Sequence, residues 1–261
     1  MEKKILDQQS QYWEKKFLSK PEMFGLEASK AAIDSLKNFK EGNIKKIIEL
    51  GAGLGRDTIF FAKNSIYVSA LDYSPAAIKI INKKVLKNKL SNFISTKIFD
   101  VRKKLPFNDN SIDGFFSHML YCMALSTEEI EKLNNEIYRV LKPNGINIYT
   151  VRHNEDGDYK KGTHIGEDLY QNDGFMGIVT HVPSIILKPE FEIYKTFFGM
   201  PPAGKFDVHA VKTIKNLLDI HLGATYEQIE DYLLEIFEEP KMRELAGFTW
   251  AEPLRKIRKI S

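Results

Sequence analysis

The stretch Ile47-Ile48-Glu49-Leu50-Gly51-Ala52-Gly53-Leu54-Gly55-Arg56-Asp57-Thr58 constrains this chain more than any other. A β-branched run stops at an acidic residue, and three glycines follow at every second position. The apolar segment Ile59-Phe60-Phe61-Ala62 then begins with helical character. This order reads as strand, tight glycine loop and helix. Glycine admits positive φ and lets a ligand reach the backbone with no Cβ in the way.

Spacing narrows the ligand. The dinucleotide fingerprint G-x-G-x-x-G points a helix N-terminus at a pyrophosphate. Here the pattern is G-x-G-x-G, one residue shorter, and Arg56 stands where the last glycine would be. Glu49 just ahead of the loop is a poor neighbour for a phosphate and a good one for a cationic amine. A nucleoside with an amino-acid tail therefore suits the loop better than a dinucleotide. The competing reading is a tight turn with no ligand, against which the acids downstream speak.

A second strand, Ile66 to Asp72, closes on Asp72 about 20 residues after the loop, a position from which an acid accepts both hydroxyls of a ribose. Helix capping is the alternative for Asp72, but Ser74-Pro75 is the better helix start and leaves Asp72 for ligand. A third strand, roughly Phe93 to Phe99, ends at Asp100-Val101. That carboxylate suits an adenine amino group and the next backbone N–H a ring nitrogen; a solvated loop acid is the alternative. A fourth strand, Ser111 to Ser117, runs into His118.

The runs IIELGAGLGRDT, ALDYSPAAI, FDV, SIDGFFSHM and VLKPNGINIYTVR, in this order and spacing, resemble the class I S-adenosylmethionine-dependent methyltransferases. The upstream YWEKKF…PEMFGLEASKAA and the later GTHIGEDLYQNDGF are similar to segments of the small-molecule, tellurite-resistance and thiopurine-like group. The resemblance implies S-adenosylmethionine as cofactor and S-adenosylhomocysteine as product. It implies that Glu49, Gly51 and Gly53 hold the methionine part, Asp72 the ribose, and Asp100 with Val101 the adenine. Ala52, Arg56, Asp57, Tyr73 and Ser117 beside these motifs, with Met23 and Phe24 as a cover for the adenosine, complete the expected cofactor set.

Strands alternating with helices call for an α/β fold with a parallel sheet and helices on both faces. By the resemblance this is a Rossmann-like sheet of seven strands. Residues 1–222 form the methyltransferase domain: 1–43 an N-terminal helical part or lid, 44–152 the cofactor-binding core, and 153–222 a substrate loop and the last strands. Residues 223–261 read as a helical C-terminal extension. The N-terminal helix carries Trp13 and Phe17 on one face and either packs on the sheet or covers the cofactor. Ser126 with Glu129 fits a capping box. Phe191–Phe198 reads as strand six, and Phe206–Ile214 fits either an antiparallel strand seven or a helix.

The chain has 261 residues, 43% of them hydrophobic, and a formal charge of +3. That length suits one α/β core, and the near-neutral balance gives no argument for nucleic acid or an anionic membrane. No apolar run is long enough to span a bilayer. The single cysteine, Cys122, excludes an intrachain disulfide. A cytoplasmic monomer or homodimer with no metal site is the expectation.

Methyl transfer from a sulfonium needs positioning and exclusion of water more than a catalytic motif. A base is required only where the acceptor must lose a proton. His118, Tyr121, Arg152 and His153, with His164, are the candidates to bind or deprotonate an acceptor. His118 leads because it follows strand four. No Asn/Asp-Pro-Pro-Tyr follows that strand, no Pro-Cys is present, and one cysteine cannot supply the thiolates that arsenite chemistry wants. A small-molecule acceptor remains. The alternatives are a regulator that only binds the cofactor, a nicotinamide oxidoreductase, and a nucleic-acid or protein methyltransferase that uses the basic C-terminal tail.

Overall fold

The computed structural model of the protein describes residues 3–152, 159–166, 169–171, 178–180 and 209–214. The main sheet comprises β1 (Lys46–Leu50), β2 (Tyr67–Asp72), β3 (Ile94–Ile98), β4 (Ile112–Ser117), β5 (Leu141–Val151) and β9 (His209–Ile214), in the order β3-β2-β1-β4-β5-β9. The first five are parallel, and β9 pairs antiparallel with β5, Val151 against His209 through Ile146 against Ile214. Residues 209–214 of the segment that fitted strand or helix are thus a strand. The expected strand over Phe191–Phe198 and the extension over 223–261 lie outside the described residues.

Helices cover both faces. On one, α2 (Lys30–Glu41), α3 (Arg56–Lys63) and α4 (Pro75–Lys87) bury Phe39, Phe61 and Ile81 against Ile47, Val68 and Phe116. On the other, α5 (Thr127–Val140) buries Ile130, Leu133 and Ile137 against Ile48, Leu71 and Phe115. The split follows from strand order: the chain moves outward from β1 to β3, then returns across β1 to β4, so the later helix lies on the opposite face. Adjacent strand residues such as Ile47 and Ile48 serve opposite cores because strand side chains alternate.

Local chemistry sets the helix starts. Ser29, Ser74 and Ser126 are N-caps, and Ser126 with Glu129 forms the expected capping box. Helix α5 ends at Val140, and β5 starts at once at Leu141. Leu141 already pairs with Ile112.

The N-terminal helix α1 (Lys3–Ser19) packs against α4, with Trp13 and Phe17 buried beside Leu54, Ala76 and Ala77. Residues expected as an irregular substrate loop instead include β6 (Thr163–Gly166) and β7 (Leu169–Gln171), an antiparallel pair extended by β8 (Ile178–Thr180). Leu169 and Ile165 rest on Ala124, in the loop after β4. No described helix is long and apolar enough to cross a membrane.

Candidate functional site

The connections after β1 and β4 leave the sheet toward opposite faces. This divergence opens a crevice at the carboxyl ends of the strands, where ligands of open α/β sheets bind. A cavity lies there. Its floor and walls come from the strand ends: Gly51, Gly53, Asp72, Tyr73, Phe99, Asp100, Val101, Arg102 and His118. Helix α1 and the turn after it add Gln9, Trp13, Phe17 and Phe24, and the loop after β4 adds Met119, Leu120, Met123, Ala124 and Leu125.

The glycine loop is built for close approach. Gly51, Gly53 and Gly55 have φ of 67°, 51° and 74°. A Cβ on Gly51 would stand 3.1 Å from the Leu120 side chain, and one on Gly55 only 2.7 Å from Ile81 Cγ1. Lys84 Nζ donates to the Leu54 carbonyl at 2.7 Å and tethers the loop to α4.

Ser74 caps α4, as the sequence reading has it, and Asp72 takes two backbone hydrogen bonds as well. Its carboxylate accepts from Gly53 N at 2.8 Å and from Ser74 N at 2.9 Å, so it fastens the glycine loop to the start of α4. It still lines the cavity, and each carboxylate oxygen has a second lone pair for a ligand. Burial pushes its carboxyl up to about 6, against the two backbone hydrogen bonds, with the Glu14 charge adding to the rise. Burial also holds Glu49 well above the usual carboxylate range, with the Asp57 charge adding to it. Glu49 does not open onto the cavity; it lies beneath the loop and accepts from Thr58 Oγ1 at 2.5 Å.

Asp100 lines the cavity paired with Arg102. Arg102 donates to it from its backbone N at 3.0 Å, from Nε at 3.0 and 3.1 Å, and from Nη2 at 2.7 Å. Burial raises the Asp100 carboxyl, but these hydrogen bonds and the guanidinium charge outweigh it and hold the group below its usual range. Arg102 opens the short basic run Arg102-Lys103-Lys104, yet its guanidinium is turned onto Asp100.

His118 lines the cavity between the glycine loop and the loop after β4. Its Nδ1 lies 3.3 Å from Thr150 Oγ1, which accepts from Met119 N at 2.6 Å. Burial pushes the imidazole down to about 4, opposed by the Asp57 charge and helped by Arg56, so the ring is neutral at pH 7. It accepts or donates hydrogen bonds without a net charge.

Several expected site residues take other work. Tyr121 is buried, stacks on Tyr149 at 4.3 Å between ring centroids, and donates to Asn134 Oδ1 at 2.7 Å. Arg152 is 1% exposed and lies off the cavity lining. Asp57 accepts from Ser29 N at 2.7 Å and Ser29 Oγ at 2.8 Å, a buried joint between α3 and α2. Arg56 donates to the Phe24 carbonyl at 2.9 Å and so holds Phe24 over the loop. Met23, Ala52 and Ser117 also lie off the lining, and His153 lies outside the described residues. Gln9, Phe99, Arg102, Met119, Leu120, Met123, Ala124 and Leu125 line the cavity without having been singled out for it, and Trp13 and Phe17, expected either to pack on the sheet or to cover the cofactor, line it too. Tyr159, Tyr170 and His164 cluster on the β6–β7 hairpin, with Tyr170 5.0 Å from the His164 ring and 5.8 Å from Tyr159.

This donor set fits a nucleoside with an amino-acid tail. Two carboxylates at neighbouring strand ends offer acceptors to hydroxyl and amino donors, aromatic faces from Trp13, Tyr73 and Phe99 flank them, and Gly51 and Gly53 present bare backbone. Among the described residues no group of three His, Cys, Asp or Glu side chains is placed to hold a metal.

Residues 48–149 match the family model of a methyltransferase domain. The wheat (Triticum aestivum) phosphoethanolamine N-methyltransferase 1 is 40% identical over 122 residues, 45% of this chain and 23% of that protein. The Arabidopsis thaliana 24-methylenesterol C-methyltransferase 3 is 26% identical over 175 residues, 63% of this chain and 45% of that protein. The fold is shared with Haemonchus contortus phosphoethanolamine N-methyltransferase 1, solved with phosphoethanolamine and S-adenosylhomocysteine. That likeness has a TM-score of 0.54 at 21% identity and covers 70% of this chain and 39% of that one. The chain thus spans less than half the length of each of these three relatives.

Proposed function

We propose that the chain, whose residues 48–149 match the methyltransferase-domain model, uses S-adenosylmethionine to methylate a small-molecule acceptor by in-line displacement. One observation carries the reading: the glycine loop, Asp72, Asp100 and His118 meet in one cavity at the switch point of the sheet. S-adenosylmethionine, when bound, supplies a methyl carbon on a sulfonium whose positive charge already activates the leaving group. Asp72 would hold the ribose, Asp100 the adenine amino group and the Gly51–Gly53 backbone the amino-acid end.

The residues of the chain then position and shield. Trp13, Phe17 and Phe24 roof the cavity and keep water out. Met119, Leu120, Met123 and Leu125 form an apolar wall beside His118, which suits the alkyl part of an acceptor. The neutral His118 ring is a hydrogen-bond partner that orients a nucleophile. Burial makes it a weak base at pH 7, so the nucleophile must be one that reacts without losing a proton to it. An amine that reaches the site uncharged meets that requirement, the extra proton of the ammonium product passing to solvent after the transfer. The relatives named for phosphoethanolamine and for a sterol support a small acceptor. They do not share the tellurite-resistance and thiopurine names to which the N-terminal segment is similar.

Incubation with methyl-labelled S-adenosylmethionine and a panel headed by phosphoethanolamine tests this reading. Label on a small molecule is the expected result. Label on protein or RNA alone, or cofactor binding with no transfer, would contradict it.

A further inference from the structure

We propose that Arg102 is a specificity-determining positioning residue. It holds the Asp100 carboxylate against the cavity so that the site selects a purine with an exocyclic amino group. The inference rests on the S-adenosylmethionine reading of the same site and goes beyond it.

Three observations support it. First, β3 stops at Ile98, and Phe99 N donates to the Asp72 carbonyl at 2.8 Å, so the backbone that leads into Asp100 is pinned beside the other cavity carboxylate. Second, Arg102 grips Asp100 from two directions, through its backbone N and through its guanidinium edge. A planar fork on a carboxylate fixes the plane of both groups, which a single ammonium cannot do. Third, Arg102 Nη1 lies 3.9 Å from Glu129 Oε1, while Glu129 Oε2 closes the capping box of α5 by accepting from Ser126 N at 3.0 Å. The guanidinium therefore spans from Asp100 to the start of α5, which follows the cavity-lining Leu125 in the chain.

A half-buried carboxylate with no such clamp turns to water and loses its aim. With the clamp, Asp100 stays an ionised acceptor facing the cavity. An amino group at the purine 6-position donates to it; a carbonyl there meets two negative ends and is rejected, because a buried polar group is left without a partner.

The test compares S-adenosylhomocysteine with S-inosylhomocysteine by calorimetry on the full chain, together with Arg102→Met and Arg102→Lys. Thermal melts check that each variant is folded. The wild type is expected to prefer the adenosyl compound by about tenfold or more, the scale of one hydrogen bond to a charged group. Arg102→Met is expected to bring the two affinities within about twofold, the loss falling on the adenosyl compound, and Arg102→Lys to restore only part of the preference. A parallel loss for both compounds with an unchanged ratio would mean that Arg102 only stabilises the fold, and would overturn the proposal. If Arg102→Met does not fold, an Arg102→Lys ratio equal to that of the wild type overturns it instead. A wild type that binds neither compound defeats the cofactor reading itself, a result distinct from binding without discrimination.

Discussion

Asp72 joins two functions in one carboxylate. It pins Gly53 and Ser74, and it faces the cavity. Its carboxyl sits near 6 rather than 3.8 because burial disfavours the charge. The folded chain therefore binds this proton more tightly than the unfolded chain. Stability from this group falls as pH rises from about 4 to about 6 and is level above that. In the proposed ribose role, ligand binding has the opposite sign, since ribose hydroxyls would donate to the ionised form. S-adenosylhomocysteine affinity is predicted to weaken below pH 6, approaching tenfold per unit, when titrated by calorimetry from pH 7.5 to 5. Asp72→Ala is predicted to weaken it about 10- to 100-fold at pH 7.5, the loss of one or two hydrogen bonds to a charged group. An unchanged affinity would remove Asp72 from the ribose role. His118, held near 4, is predicted to add no inflection to kcat between pH 5.5 and 8.

The element that closes the site is α1. Its Trp13 and Phe17 are buried, and each such side chain contributes about 1.5–3 kcal/mol of burial. Glu14 between them reaches the first turn of α4, where it accepts from Ala76 N at 3.1 Å and from the Ser74 hydroxyl. A carboxylate at a helix N-terminus satisfies donors that the helix itself leaves open. Glu14→Ala is predicted to cost about 1 kcal/mol, seen as faster amide exchange across α1 and weaker S-adenosylhomocysteine binding, with the exchange of the β1–β4 core unchanged. Gly55 belongs to the same scale, as the left-handed residue that turns the loop into α3. Gly55→Ala is predicted to cost at least about 1–2 kcal/mol from backbone strain, with the Ile81 clash added, and to lower the midpoint of urea unfolding.

Across the whole molecule, much of the architecture was legible in the sequence. Strand ends showed because β-branched runs stop at glycine or an acid, as at Leu50–Gly51 and Ala70–Asp72. Ser74 and Ser126 marked the starts of α4 and α5. From these, the parallel order and the side of the sheet that holds the site both follow. What the sequence did not show was which polar residue faces the ligand and which holds the frame. Asp57 and Asp72 lie in equally suggestive places, yet Asp57 is spent on Ser29. Tyr121 follows a strand end as His118 does, but its ring fills the core against Tyr149. Arg102 hid in a basic run, because its pairing with Asp100 depends on a turn that spacing alone does not reveal. The β6–β7 hairpin lacks the alternation that announces a strand.

The most direct measurement is a side-by-side calorimetric titration of the full chain with S-adenosylhomocysteine, S-adenosylmethionine and NADH. Micromolar binding of both sulfur nucleosides with none for NADH is predicted. Binding of NADH alone, or of none of the three, would contradict the assignment of this cavity.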